Sequence, residues 1–144
     1  MNRDWSPDRV DYMSGERSLD KLLASLSPVL IDGEFVFLTF ADARYGDRAE
    51  LDPVAAVSEN EGLTLVVPRS KADEHGLEYE SVFRRITLTV HSSLDAVGLT
   101  AAFASKLTEH GISANVVAGY FHDHIFVPCD EAEKAISALA ELVP

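Results

Sequence analysis

The chain has 144 residues, a net charge of −12 at pH 7, 47% hydrophobic residues and 25% charged residues. This composition is typical of one globular domain, or of two small units that share a core, and it excludes a disordered chain. An acidic surface repels phosphate groups, so neither nucleic acid nor an anionic membrane is expected as a partner.

The N-terminal residues and the cysteine count bear on the compartment. Residues 1–14 are polar and charged, and we expect a flexible arm rather than a secretory signal, which needs an apolar run. No apolar run approaches the roughly 20 residues of a membrane helix. Cys129 is the one cysteine, which excludes an intrachain disulfide and is typical of a reducing compartment. We therefore expect a cytoplasmic protein.

The first half of the chain predicts strands between two short helices. The elements are a leucine-rich helix from Ser18 that ends before Pro28, a strand at 34–40, strands at 54–58 and 63–67, and a helix at 70–75. Aromatic and β-branched residues indicate that the first strand is buried. A four-residue connection ending in Gly62 favours a hairpin between the next two strands.

The second half has stronger periodicity. Its elements are a strand at 83–90, a helix at 94–110, a strand at 112–119, a strand reaching 125–127 after a tight connection, and a helix from 130. Leu99, Phe103 and Leu107 recur at helical spacing, whereas Ile86 and Leu88 alternate with polar residues as in a strand.

The order of these elements predicts the fold class. Residues 83–143 follow the order β-α-β-β-α of a ferredoxin-like unit that has lost or borrowed its last strand. Residues 35–75 follow the same order with the first helix reduced to a loop. We therefore expect an α+β fold with an antiparallel sheet and helices on one face. The correspondence of the halves rests on element order, because we find no residue-level repeat.

The segment 86–99, ITLTVHSSLDAVGL, resembles the first strand and turn of an ACT domain, in which an Asp-x-Pro-Gly-Leu-like turn leads into a helix. Asp95, Gly98 and Leu99 match the turn, and Val97 replaces the usual proline. Gly111-Ile112 then matches the end of that helix.

The resemblance implies a protein with two ACT-like halves: a degenerate unit at 15–80 and an ACT domain at 81–144. It further implies a non-catalytic regulatory protein that binds a small molecule, most simply an amino acid, at a domain or subunit interface. It implies no cofactor.

The turn before the second helix is the candidate binding site. The first amides of a helix have no intrahelical partner and attract a carboxylate, while Asp95 could bind an ammonium group. A local interpretation stays open, in which Ser92 and Asp95 form a capping box and Gly98 only allows close packing. With the resemblance, the predicted ligand-binding residues are Ser92, Ser93, Asp95, Val97, Gly98, Ile112 and Asn115.

Asn115 enters this set because its amide can both donate and accept hydrogen bonds. We expect the start of its strand to lie within reach of the turn. The alternative is a solvated or dimer-facing strand surface.

The histidines and the cysteine do not make a convincing site. His122 and His124 would share a face of a strand, but only His91 or a distant carboxylate could complete a metal site. We expect a structural hairpin and no metal. No nucleophile elbow or phosphate-binding glycine loop is present, so we expect neither catalytic residues nor a nucleotide. No sequence motif supports the alternative of an enzyme that uses these histidines with Asp123.

The sheet edges favour a homodimer, because an unpaired edge invites a second chain. The alternative function is a ligand-free protein–protein interaction module on the same fold. That module predicts that side chains from the first half fill the space above Gly98.

Overall fold

The computed structural model describes residues 18–89 and 97–144. The arm predicted at 1–14 lies outside these residues. In the described part, seven strands form one antiparallel sheet, and the helices pack on one face of it. The predicted α+β class with two ferredoxin-like halves is confirmed. No described helix has the length and apolar character needed to cross a bilayer.

The elements begin and end as follows. They are α1 (Leu19–Ala24), β1 (Pro28–Leu30), β2 (Phe35–Phe40), a 3-10 turn (Ala49–Leu51), β3 (Ala55–Glu59), β4 (Gly62–Pro68), α2 (Arg69–Glu74), β5 (Phe83–Leu88), α3 (Leu99–Glu109), β6 (Asn115–Ala118), β7 (Asp123–Pro128), a second 3-10 turn (Cys129–Glu131) and α4 (Ala132–Ala140).

The C-terminal unit borrows its fourth strand from the N-terminal segment. The strand order is β3-β4-β2-β5-β7-β6, and β1 pairs with β5 outside this path. In β1, Pro28 lies opposite Leu88 and Leu30 lies opposite Ile86. The strands β1, β5, β7 and β6 thus have the neighbours of a complete ferredoxin-like sheet. The sequence does not predict β1, since a strand of three residues that begins with a proline gives no periodicity.

The N-terminal unit consists of β2, β3, β4 and α2. The 3-10 turn Ala49–Leu51 stands where the C-terminal unit has α3, as the predicted loss of the first helix requires. The two units also share a residue pattern that the sequence analysis missed: Val-Pro-x-x-x-Ala occurs at 67–72 and again at 127–132. In both copies the proline ends a strand, and the alanine is buried.

Each unit has its own hydrophobic core under the helices. The larger core joins α1, α3 and α4 to β5 and β7 through side chains such as Leu22, Phe103 and Leu139. The smaller core lies beneath β2 and β4. Residues of α1 and β1 therefore pack on the C-terminal unit, although they precede the N-terminal one. The division at 15–80 and 81–144 stays a prediction.

Three of the differences between predicted and observed boundaries have a local physical cause. Helix α3 begins at Leu99 rather than at 94, because Gly98 has a left-handed backbone (φ 98°) that no helix contains. Strand β6 begins at Asn115 rather than at 112, because the amide of Ile112 still closes the helix end by donating to Leu107. Helix α4 begins at Ala132, after a 3-10 turn rather than a side-chain cap.

Candidate functional site

The start of α3 offers backbone amides that no described residue caps. Gly98 is the N-cap residue, and it has no side chain with which to accept a hydrogen bond. The first intrahelical bond runs from the Ala102 amide to the Gly98 carbonyl. The amides of Leu99, Thr100 and Ala101 therefore have no helical acceptor, and none of the described side chains supplies one. As far as the described residues extend, this helix end is open to an anion.

The space above Gly98 is partly filled. A Cβ atom on Gly98 would lie 3.1 Å from Cδ2 of Leu19, which belongs to α1. The close contact and the positive φ together explain the glycine, because a residue with a side chain would be strained here.

A buried carboxylate lies at the same end of the sheet. Asp123 begins β7, opposite Leu88 at the end of β5 and Ala118 at the end of β6, and only 9% of it is exposed. Helix α3 leaves this end and runs back over the sheet, because β6 begins at the other end, shortly after α3 stops.

The Asp123 carboxylate accepts no hydrogen bond from a described residue, and its oxygens are not among the fully buried atoms without a partner, so they reach the surface at this end of the sheet. Burial raises the pKa of this carboxyl group, and the charge of His122 lowers it by less.

The structure does not bring all of the predicted ligand residues together. Val97 is 83% exposed beside Gly98, whereas Ile112 is buried in the larger core. Asn115 lies opposite Phe126 on β7. Phe126 is three residues along the strand from Asp123, which corresponds to about 10 Å. The expectation that it lies within reach of the turn is wrong, because β6 runs parallel to β5 and starts at the far end. Ser92, Ser93, Asp95 and His91 lie outside the described residues.

Asn115 instead lines a cavity of about 540 Å³ at the free edge of β2. The other walls of the cavity come from β2 itself, from Phe83 and from the segment 77–81. The sequence gives no sign of this cavity, because it arises from the placement of the segment 77–81, which forms no strand, beside β2.

The histidines do not form a site in the described part of the chain, where no cluster of three or more metal-binding side chains occurs. Only His124 lies in β7, since His122 precedes it, so the two do not share a strand face as predicted. The Nδ1 atom of His124 lies 2.9 Å from the Thr87 hydroxyl oxygen. Burial lowers the pKa of His124, and the nearby charges of Arg85 and His122 add to this effect.

Cys129 belongs to a polar network between the units. Its thiol donates a hydrogen bond to Glu34 at 2.8 Å, and Glu34 also accepts from Arg69 at 3.2 Å. The bond to Glu34 raises the pKa of the Cys129 thiol, and burial adds to it. The thiol is therefore a poor nucleophile at neutral pH. Arg69 continues the network by donating to the Tyr79 hydroxyl.

Comparison with protein families gives two matches. One ACT-domain model matches residues 14–84, and a second matches residues 80–141. The chain belongs to the ACT-domain family. ACT domains are regulatory modules, so this is a regulatory protein of the ACT type with two ACT-like halves.

Solved structures support the same fold. A Vibrio cholerae protein of unknown function, described as a possible transport protein, is 55% identical, with a TM-score of 0.79 over 89% of this chain and 98% of its own. The regulatory subunit of aspartate kinase from Thermus thermophilus, in a ligand-free form, is 11% identical over 83% of this chain and 99% of its own, with a TM-score of 0.62.

An Agrobacterium tumefaciens protein is 18% identical, with a TM-score of 0.61 over 81% of this chain and 88% of its own. At such low identity, the last two show the fold alone. No curated protein matches the chain.

Proposed function

We propose that this ACT-domain protein is a non-catalytic regulatory protein that binds a free amino acid at the turn before α3. The first amides of α3, those of Leu99, Thr100 and Ala101, would bind the carboxylate of the ligand. Asp123, together with the predicted Asp95, would bind its ammonium group. Ser92, Ser93, Val97 and Gly98 would complete the pocket, and Ile112 would support it from the core.

The observation that carries this proposal is that one end of the sheet holds both a set of hydrogen-bond donors, the first amides of α3, and a negatively charged acceptor, the Asp123 carboxylate. Among the described residues, no group accepts from the first amides of α3, and none donates to the Asp123 carboxylate. A zwitterion satisfies both at once, whereas an inorganic anion would leave the carboxylate without a partner.

Isothermal titration calorimetry against the twenty amino acids tests the proposal. At least one should bind with a dissociation constant below 1 mM, a typical order for a metabolite sensor, equivalent to about −4 kcal/mol. Asp123→Asn should remove binding, and Asp42→Asn, which removes an equal charge from an exposed loop, should leave it unchanged. No heat from any amino acid at millimolar concentration would refute the proposal.

A second candidate function is a ligand-free interaction module, and the position of Leu19 favours it. This side chain of the first half lies over Gly98, where the module is expected to have a plug. The amino-acid titration separates the two functions. Binding that Leu19→Ala strengthens would favour the binding protein, because the substitution opens the turn.

We further propose that the protein is a cytoplasmic homodimer that pairs through β6. The stretch 112–121 contains no charged residue, whereas the opposite edge strand β3 ends beside Glu59 and Glu61. Charges on an edge strand oppose pairing, so β6 is the better edge for a second copy. Light scattering after gel filtration should give a dimer for the native chain and a monomer for Val116→Lys.

A further inference from the structure

The free edge of β2 marks a place where a strand is missing from the N-terminal unit. In the C-terminal unit, β1 fills the corresponding position beside β5. Beside β2, the pairing consists of Phe35 with Phe83 alone. Continuing that antiparallel register would place residues 78–82 against β2, yet this segment contains no strand. A gap therefore separates the rest of β2 from the segment 77–81.

The backbone of β2 offers hydrogen-bonding groups to this gap. The bond from the Arg69 amide to the Glu34 carbonyl fixes which residues of β2 face β4. By alternation, Phe37 and Thr39 direct their amides and carbonyls away from β4 and into the gap. Among the described residues, nothing bonds to these groups. The backbone groups of Phe37 lie about 6.8 Å from those of Thr39, which is the two-residue repeat of an extended peptide.

The cavity in the gap has the size and shape of a ligand site. Its volume is about 540 Å³, within the range of about 300–1,000 Å³ that small-molecule and peptide pockets occupy. The rings of Phe37 and Phe83, whose centroids lie 5.2 Å apart, form an apolar wall. Phe37 is 36% exposed, so part of this wall faces solvent.

The charge of the lining favours a cation. Glu78 and Glu80 line the cavity, and no basic residue does. Both carboxylates are exposed, and neither forms an ion pair within the described ranges. Two arginines touch lining residues from outside: Arg48 stacks on the ring of Phe40, and Arg69 binds the Tyr79 hydroxyl.

We propose that this gap binds a short, extended, positively charged peptide of about three residues as an added strand on β2. Its main chain would pair with Phe37 and Thr39, as in other cases of strand addition to a sheet edge. Its apolar side chain would lie on the Phe37 and Phe83 rings, and its basic groups would face Glu78 and Glu80. This site is separate from the turn before α3, and it does not depend on the amino acid proposed there.

The test is calorimetric titration with the capped peptide Ac-Lys-Val-Lys-amide. Ac-Glu-Val-Glu-amide, a version methylated on its backbone nitrogens, and free L-lysine serve as comparisons. Only Ac-Lys-Val-Lys-amide should bind. Equal binding of the methylated peptide would overturn strand addition, and equal binding of L-lysine would mean a simple cation site instead.

Variants then locate the peptide. Thr39→Pro removes an amide that faces the gap and leaves the β4 ladder intact, so it should abolish binding. Ser58→Pro, at the outer edge of β3, is the matched control and should not affect it. Glu78→Gln with Glu80→Gln should weaken binding about three- to tenfold at low salt, and less at high salt. Asp123→Asn should have no effect.

Amide chemical shifts keep the proposal testable if Thr39→Pro does not fold. In the native protein, the amide signals of Phe37 and Thr39 should move on titration with the basic peptide. The amide of Leu38, which faces β4, should move less. Binding that leaves the signals of Phe37 and Thr39 unchanged would overturn the proposal.

Discussion

Asp123→Asn should stabilise the protein near neutral pH, because burial of Asp123 disfavours its charged form, as its raised pKa shows. Taking a polar group partly out of water costs about 1–3 kcal/mol. Asparagine retains an unpaired amide but no charge, so a gain of about 1–2 kcal/mol in the free energy of unfolding is expected. For a domain of this size, that corresponds to a rise of roughly 3–6 °C in the melting temperature.

The gain should depend on pH in a defined direction. Because the folded-state pKa of Asp123 is raised, the folded protein holds this proton more tightly than the unfolded chain. The native protein therefore loses stability as pH rises from the unfolded value, near 3.8, through the folded one. The advantage of Asp123→Asn should be complete above that window and should vanish below it.

Urea denaturation of both proteins between pH 3.5 and pH 8 measures this difference. Asp42→Asn, at an exposed loop position, controls for the change in net charge. A difference that does not vary with pH, or a variant less stable than the native protein at pH 7.5, would refute the reasoning. Either result would mean that the carboxylate has a partner in the folded protein.

Three further predictions concern the packing and the cysteine. Gly98→Ala should lower the free energy of unfolding by about 1–2 kcal/mol, because its left-handed backbone is strained for any side chain, and a neutral result in urea melts would contradict this. Leu22→Ala should cost about 2–5 kcal/mol in a single transition, since Leu22 is fully buried against the C-terminal unit; a separate early transition in calorimetry would mean that α1 packs independently. Glu34→Gln should speed the reaction of Cys129 with a disulfide reagent at pH 8 several-fold, because the carboxylate raises the thiol pKa, and an unchanged rate would exclude that effect.

The elements that the sequence predicts well are those with a local signal. The stripe of Leu99, Phe103 and Leu107 is buried as predicted, because helical spacing decides which face meets the core. The hairpin of β3 and β4 follows from its turn residues in the same way. The resemblance carried by Asp95, Gly98 and Leu99 identified the family because those residues lie together in the chain.

The features that the sequence does not predict depend on contacts between distant residues. Strand β1 becomes a strand only because β5 lies beside it, more than 50 residues later. The position of Asn115 follows from the direction of β6, which periodicity does not encode. The burial of Asp123 arises from its position between β5 and β6, and no sequence motif marks it. The gap beside β2 exists because residues 78–82 do not pair.

Because β1 supplies the fourth strand of the C-terminal unit, the two ACT units of this chain are not consecutive in the sequence. In the sequence, the N-terminal unit lies between β1 and β5, which are both strands of the C-terminal unit. A fragment that starts at residue 81 would expose the edge of Ile86 and Leu88, and would invite association with other chains. Neither unit can therefore be removed or exchanged by cutting the chain once. The segment between β1 and β2 joins the two units directly, because β1 belongs to the C-terminal sheet and β2 to the N-terminal unit.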